Sequence, residues 1–455
     1  MASELEGDLT ERLSRELSDW RRWLARLVIM SHAVAASFAV LSLTWLSERA
    51  LDTFFHGLRQ WWWLPLAWTP AATAALVWMA RAWAPGASGS GIPQVMAAQD
   101  AHTAPEHVGL FVSLKLSLAK VLLTAGGLLA GLSTGREGPS VQIAAGVMHH
   151  ARRWLPARSG IHERGLLVAG GAAGIAAAFN TPLGGVMFAI EELSRRPEDR
   201  ASGLLIAAIV VSGLVAVSVH GNATYFGDIT ALTLSWSDVW LVALVALLCG
   251  ALGGLFSRLM IITMQAGPHW MQRARTQRPL LFAAGCGLAV AVIGLVSGGA
   301  TFGAGYGATK ALLEGQDATH GLYTLLRFLV TWLSAVSGVP GGIFAPSLAI
   351  GASIGHDVAH WTHMHQPTLI ALGMAGFLAG ATQAPLTAVI IVMEMVSGQE
   401  MVLSLLACAF GANALARLIS PSLYVTLAQM QLKRLPRNAT PDATPSASLN
   451  SPERP

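Results

Sequence analysis

Apolar runs without a single Asp, Glu, Lys or Arg recur along this chain, at Leu27–Ser47, Ser202–Val219, Val239–Ser257, Pro279–Thr309 and Phe328–His356. Each is long enough to cross a bilayer as a helix, which takes roughly 20 residues. The pattern predicts an all-α polytopic membrane protein. The apolar stretches are also broken by Gly and Pro, at Pro85–Pro93, Gly131–Pro139, Thr181–Gly185, Gly338–Pro346 and Ala384–Leu386. A simple bundle has no need of such breaks. In a membrane they are tolerated where the freed backbone groups line a cavity or hold an ion.

An internal repeat organises these breaks. Ala172-Ala-Gly-Ile-Ala-Ala-Ala-Phe-Asn-Thr-Pro-Leu183 resembles Ala375-Gly-Phe-Leu-Ala-Gly-Ala-Thr-Gln-Ala-Pro-Leu386, and each runs on to a glutamate at the same offset, Glu191 and Glu394. Upstream lies a second matched pair, Pro139-Ser-Val-Gln-Ile143 and Pro346-Ser-Leu-Ala-Ile350. Two related halves with discontinuous helices at matching places predict a transporter-like architecture with its site at their interface.

Composition agrees. Hydrophobic residues make up 53% of the 455 and charged residues 12%, against about 25% charged in soluble domains. A formal charge of +4 is too small to argue for nucleic acid. Its distribution says more, because Lys and Arg mark cytoplasmic loops. Arginines cluster in the N-terminal segment, at Arg152, Arg153, Arg158 and Arg164, at Arg195, Arg196 and Arg200, and at Arg273, Arg275 and Arg278; Lys433, Arg434 and Arg437 follow near the end. Segments 220–237 and 357–367 contain neither Lys nor Arg. Both termini and the basic loops are therefore expected inside, and those two segments outside. Residues 1–26, with six acids and five arginines, lack a signal-peptide core and read as an amphipathic cytoplasmic segment, helical around Leu13–Leu27. The transport domain is expected over 27–432, its repeats over roughly 27–220 and 235–432. A disordered cytoplasmic tail rich in Pro, Ser and Thr is expected over 433–455, with no regulatory module. Cys249, Cys286 and Cys408 are far apart and odd in number, so they predict packing and neither disulfides nor a metal site.

Glu137 is the residue that carries chemistry. A carboxylate at membrane depth is costly and by default marks an ion or proton path. It lies in Gly131-Leu-Ser-Thr-Gly-Arg-Glu-Gly-Pro-Ser140, ahead of a helix expected over Ser140–His150 whose free N–H groups point back at it. A helix start binds anions, and Glu137 is itself an anion. A side chain that occupies an anion site and leaves it on protonation is a gate. Structural pairing with Arg136 is the plainer alternative. Three stretches share one logic: Gly89-Ser-Gly-Ile-Pro93, Gly135-Arg-Glu-Gly-Pro139 and Gly342-Ile-Phe-Ala-Pro346. Each sets small residues before a proline and a helix, so each can offer backbone N–H groups to an anion. Any one of them alone is better read as a packing device.

Taken together, the three motifs resemble those of the CLC family of chloride channels and proton-coupled chloride transporters, over roughly residues 25–432. The resemblance implies a fold of two inverted repeats with discontinuous, tilted helices, a homodimer with one pore per subunit in a bacterial inner membrane, and no cofactor beyond the chloride carried. It implies that Ser90 and Gly91, the N–H groups of Ile343 and Phe344, and the Tyr424 hydroxyl of Pro421-Ser-Leu-Tyr424 bind chloride. On residue type alone, Tyr424 reads as an interfacial belt tyrosine and Ser90 as a turn serine. Glu137 matches the family's external gating glutamate, with Arg136 and Gly138 beside the anion path. Glu192, second of the pair in Phe188-Ala-Ile-Glu-Glu-Leu193, matches the acid that proton-coupled members use at the cytoplasmic side; an interfacial acid near Arg195 and Arg196 is its bland alternative. Glu191 reads as structural. Lys120 is expected to favour anions in the pore, with snorkelling or structural pairing as its alternative. Gln94 and Met96 stand where many bacterial relatives carry acids, which predicts an altered inner proton route.

Two rivals frame this reading. A passive chloride channel is possible on the same scaffold. An intramembrane serine protease could be built on Ser88, in Gly86-Ala-Ser-Gly89, with His320, His356 or His360 as base. No His-Glu-x-x-His occurs, so a zinc protease is disfavoured. The His149-His150 pair at a helix end reads as solvated and not as a metal site.

Overall fold

In the computed structural model, residues 20–433 are described, apart from 102, 157, 158, 160, 195–202, 222, 223, 228–237, 266–268, 316–321 and 365. Expectations for residues 1–19, for the basic run at 195–200, for Arg158 and His320, for most of segment 220–237 and for the tail beyond Lys433 lie outside these residues.

Among the described residues there is helix and loop but no strand. The first half comprises α1 (Trp20–Gln60), α2 (Leu64–Trp83), α3 (Ile92–Ala98), α4 (Pro105–Phe111), α5 (Leu114–Leu129), α6 (Glu137–His150), α7 (Glu163–Phe179), α8 (Pro182–Phe188) and α9 (Gly203–His220). The second comprises α10 (Val239–Gln265), α11 (His269–Gln277), α12 (Pro279–Val296), α13 (Tyr306–Leu313), α14 (Tyr323–Val336), α15 (Phe344–Thr362), α16 (Gln366–Thr382), α17 (Pro385–Met395), α18 (Val402–Ile419) and α19 (Leu423–Leu432).

Helix lengths depart from the apolar runs in informative ways. α1 has 41 residues, about 60 Å at 1.5 Å per residue. It continues through Glu48, Arg49 and Asp52 and well past the hydrocarbon thickness, and at its other end it runs unbroken through residue 26. The run at Pro279–Thr309 stops being helical at Val296, because Gly298, Gly299, Gly303 and Gly305 all have positive φ. The uncharged stretch at Phe328–His356 is two helices, α14 and α15, parted by the Gly338-Val-Pro-Gly-Gly342 region that the motif reading singled out.

Repeated pairs of helices build the core. α6 packs on α7 and α15 on α16, each pair brought close by glycines. A Cβ on Gly174 would lie 2.5 Å from the Ser140 carbonyl oxygen, and one on Gly373 would strike that of Gly351. Close backbone approach through small residues is how helices associate in lipid, where burial of oil in oil drives nothing. The two halves then lock reciprocally. Glu191 Oε1 and Oε2 accept from the Leu386 and Thr387 N–H groups at 3.1 and 2.6 Å, capping α17. Glu394 Oε1 and Oε2 accept from Leu183 and Gly184 at 3.2 and 2.7 Å, capping α8. Each repeat's glutamate satisfies the helix start of the other, as two halves related by inversion require. The structural reading of Glu191 follows directly.

Candidate anion site

The three Gly/Pro motifs meet at the centre of the molecule. Gly135 N–H donates to the Gly342 carbonyl and Gly342 N–H to that of Gly135, both at 2.7 Å. Gly341 N–H donates to the Gly89 carbonyl at 3.2 Å, which ties in the third loop. The backbones approach so closely that side chains are excluded. Gly91, at φ +112°, has room for none, since a Cβ would lie 2.5 Å from the Gly138 carbonyl oxygen and 2.9 Å from Gln142 Cβ.

Glu137 is buried at 1% exposure. Its Oε2 accepts from the Ala345 N–H at 3.4 Å, while Oε1 has no hydrogen-bond partner. Glu137 is the first residue of α6, so the expected helix at 140–150 starts three residues earlier. The carboxylate is received by the start of α15, in the opposite half, as well as by the Arg136 and Glu137 N–H groups at the start of its own helix. The first bond within α15 runs from Ser347 N–H to the Ile343 carbonyl, so the Ile343, Phe344 and Ala345 N–H groups precede its ladder and remain available. At 3.4 Å the bond to Ala345 is a long one.

Ser90 and Tyr424 face the same region. Both hydroxyls are buried and lie within reach of each other, and no third group satisfies either of them. Tyr424 is held by stacking on Phe344, with ring centroids 6.2 Å apart and planes at 18°. Phe344 packs in turn on Phe179 and Phe188. A cleft of about 470 Å³ leads away from here, lined by Ser90, Gln94, Ile343 and Tyr424 at its buried end and by Met264 and Arg275 farther out. Tyr424 therefore lies in the core, not in an interfacial belt.

Glu192 is buried at 8% exposure on a single turn of π-helix, Ala189–Leu193. Such turns often mark functional positions. Glu191 turns to α17, whereas both Glu192 and Glu137 lie within electrostatic reach of the Tyr424 hydroxyl. Glu192, Ser90 and Glu137 thus share one buried neighbourhood around Tyr424.

Lys120 does not snorkel. It is fully buried, and its Nζ donates to the carbonyls of Ala87 and Gly89 at 2.7 and 2.5 Å, bracing the loop that presents Ser90. Arg136 leaves Glu137 unpaired: Nη1 meets Glu48 Oε1 at 2.9 Å, and Nη2 donates to Tyr225 Oη at 3.0 Å. Gln94, which the sequence marks only as a missing acid, folds back on its own turn. Its Oε1 accepts from the Gly91 N–H at 3.0 Å, and its Nε2 donates to the Ser88 carbonyl. Met96 is buried beside it.

Sequence reasoning missed Gln142, whose Nε2 donates to the Gly86 and Phe111 carbonyls at 2.9 and 2.7 Å. It also missed Arg327, wholly buried, donating to the Thr301 and Gly303 carbonyls at 2.8 and 2.9 Å. A glutamine within an otherwise small and apolar helix, and an arginine near the middle of α14, were the available signals. Ser88, the rival nucleophile, donates its hydroxyl to the Gly338 carbonyl at 3.0 Å. His356 has Asp357 at 3.8 Å, and His149 has Glu163 at 3.1 Å. Among the described residues, no group of three or more His, Cys, Asp or Glu could hold a metal.

Converging Gly/Pro loops, two buried hydroxyls and a buried carboxylate on backbone N–H groups, within a bundle of apolar helices, define an ion-transport protein. The family model for voltage gated chloride channels matches residues 72–417, and the chain belongs to that family, the CLC proteins. It is a multi-pass membrane protein with the CLC transporter fold. Among solved structures, it is similar to a slow cyanobacterial Cl−/H+ antiporter, at 23% identity and a TM-score of 0.75, over 92% of this chain and 99% of that one. A CLC-type fluoride/proton antiporter matches at 21% identity and a TM-score of 0.72, over 90% and 97%. A eukaryotic CLC transporter matches at 23% and 0.70, over 90% of this chain and 75% of that one. At these identities the likeness concerns the fold.

Proposed function

We propose that this protein exchanges chloride for protons across the membrane. One observation carries the reading: the Glu137 carboxylate rests on the Ala345 N–H, at the helix start whose Ile343 and Phe344 amides an anion would use, beside the buried hydroxyls of Ser90 and Tyr424. A carboxylate and a chloride cannot share one set of amides, so protonation of Glu137 and anion entry are coupled by exclusion. Backbone dipoles and hydroxyls suit a transported halide, because binding must be firm enough to admit it and weak enough to release it. In this reading Ser90, Gly91, Ile343, Phe344 and Tyr424 bind chloride, Lys120 positions the Ser90 loop, and Arg136 and Gly138 shape the path. Protons enter from the cytoplasm at Glu192 and leave at Glu137, since Gln94 is committed to its own turn. Two antiporters of this fold, one for chloride and one for fluoride, support coupling. The Ser90 hydroxyl favours chloride. The protein acts without a cofactor and without enzymatic activity, as a homodimer with one pore per subunit in a bacterial inner membrane, both termini in the cytoplasm.

The test is proton uptake driven by a chloride gradient in vesicles reconstituted with the purified protein, repeated with nitrate and fluoride. Wild type is expected to move protons uphill; Glu137→Ala is expected to keep anion flux and lose proton movement. Passive chloride flux with no proton movement in the wild type would assign a channel instead. Glu192→Ala is expected to slow protons more than chloride, and equal loss of both would make it structural.

A further inference from the structure

A second cavity, which shares no lining residue with the cleft at the anion site, opens where the start of α5 meets the end of α6. Its volume is about 480 Å³, and its lining includes Glu106, Ser113, Lys115, His149, Arg152 and Arg153. The charges there are unequally committed. Glu163 holds Arg152 at 2.8 Å and His149 at 3.1 Å. Lys115 and Arg153, both exposed, have no carboxylate partner among the described residues. Ser113 caps α5, its Oγ accepting from the Leu116 N–H at 3.4 Å, so the first N–H groups of this 16-residue helix also point toward the cavity.

The cavity does not open onto water alone. Leu114 forms part of its wall, and Leu118 and Leu122 follow at one-turn intervals along the same face of α5. They are 44%, 64% and 58% exposed, on a helical stretch, Pro105–Leu129, apolar enough to cross a membrane. Trp154, next to Arg153, is 63% exposed and suits the headgroup level. A pocket rimmed by cations is thus continuous with an exposed leucine stripe on a helical stretch apolar enough to cross a bilayer. A soluble phosphate would use the first and leave the second idle. A phospholipid uses both.

We propose that this cavity seats the phosphate of an anionic membrane phospholipid, held by Lys115 and Arg153, with an acyl chain along Leu114, Leu118 and Leu122. The basic loop at 152–164 places it in the cytoplasmic leaflet, where anionic lipids attract Lys and Arg.

Native mass spectrometry of the full-length protein, released from nanodiscs of mixed phosphatidylglycerol and phosphatidylcholine, tests this. Wild type is expected to retain phosphatidylglycerol selectively. The preference should fall about fivefold for each charge removed in Lys115→Gln and Arg153→Gln. The control Arg273→Gln/Arg278→Gln, basic positions outside the cavity, should keep it. Equal retention of both lipids by the wild type, or an equal loss in the control, overturns the proposal. Displacement of the lipid by millimolar inorganic phosphate would assign a soluble anion and overturn the lipid. A change of oligomeric state in Lys115→Gln/Arg153→Gln would give the face to a second copy, with the same consequence. None of these readouts depends on ion flux, so the transport reading stands or falls separately.

Discussion

A methyl group on Gly138 would strike the Ser90 hydroxyl, lying 2.9 Å from the Ser90 carbonyl oxygen and 3.3 Å from Gly342 Cα. Backbone and a short serine cannot swing away as a long side chain could, so the methyl must displace the loop that presents Ser90. Overpacking of this kind costs about 1–3 kcal/mol. Gly138→Ala is therefore expected to lower chloride flux roughly tenfold while the protein still folds, as measured by vesicle efflux against size-exclusion profile; unaltered flux would mean that the loops are not packed as described. Lys120→Met is expected to act on stability. It removes the Nζ donor to the buried Ala87 carbonyl and one of two donors to the Gly89 carbonyl, which keeps the Gly341 N–H, and leaving one such group unsatisfied costs about 1–3 kcal/mol. A thermal melt in detergent should drop clearly below that of the wild type, whereas an unchanged melt with altered anion selectivity would restore the electrostatic role. Lys120 was legible in the sequence because a membrane-depth Lys is a rare signal with a definite cost, and Gly138 because it stands between Glu137 and Pro139 in the Gly135–Pro139 motif. Gln142 and Gln94 were not, since nothing in a linear sequence tells which distant loop carbonyls a glutamine amide will meet.

At the level of helices, the short elements α3, α8 and α17 would be unstable alone, since isolated helices below about 12 residues barely form in water. What holds α8 and α17 is the exchange of caps: each starts with a proline, and each has its free N–H groups taken by a glutamate from the other repeat. A carboxylate at a helix start contributes through both hydrogen bonds and the helix dipole. Glu191→Ala and Glu394→Ala are each expected to destabilise by about 1–3 kcal/mol and by similar amounts, because their sites are equivalent. The protein that survives should keep the wild-type proton-to-chloride ratio. Glu192→Ala should do the reverse, with a near-normal melt and an altered ratio. A shared phenotype for Glu191 and Glu192 would contradict the division of labour drawn for this π-turn. The repeat was readable from matched Pro and Glu offsets, and so was the structural nature of Glu191. Its inverted geometry and its reciprocal capping were not, because sequence similarity carries no direction in space. Helix ends such as Gln60 and Gln265 escaped notice for another reason. Helices outrun the apolar pattern when charged residues reach the interface, and the pattern marks only the part within hydrocarbon.

On the scale of the whole molecule, the bridge between Gly135 and Gly342 and the exchanged caps leave the two halves no simple way to rock apart. Coupling then has to reside in side chains that exchange places at a fixed site, and linkage makes this measurable. If the Glu137 carboxylate and chloride compete for the amides at the start of α15, chloride binding must be accompanied by proton uptake, and protonation must strengthen chloride binding by the same factor. The sign follows from charge: at high pH the carboxylate is ionised and occupies the site, so affinity falls; as pH falls it is protonated, withdraws, and affinity rises. Isothermal titration of the detergent-solubilised protein with chloride, in two buffers of different ionisation enthalpy, should reveal uptake of up to about one proton per ion at intermediate pH. In Glu137→Gln, a neutral side chain of the same shape, the site is vacated at every pH. Chloride affinity should then match the low-pH value of the wild type and lose its pH dependence. Retention of the full pH dependence in Glu137→Gln would move the competing proton elsewhere, with Glu192, the other carboxylate within electrostatic reach of Tyr424, as the next candidate.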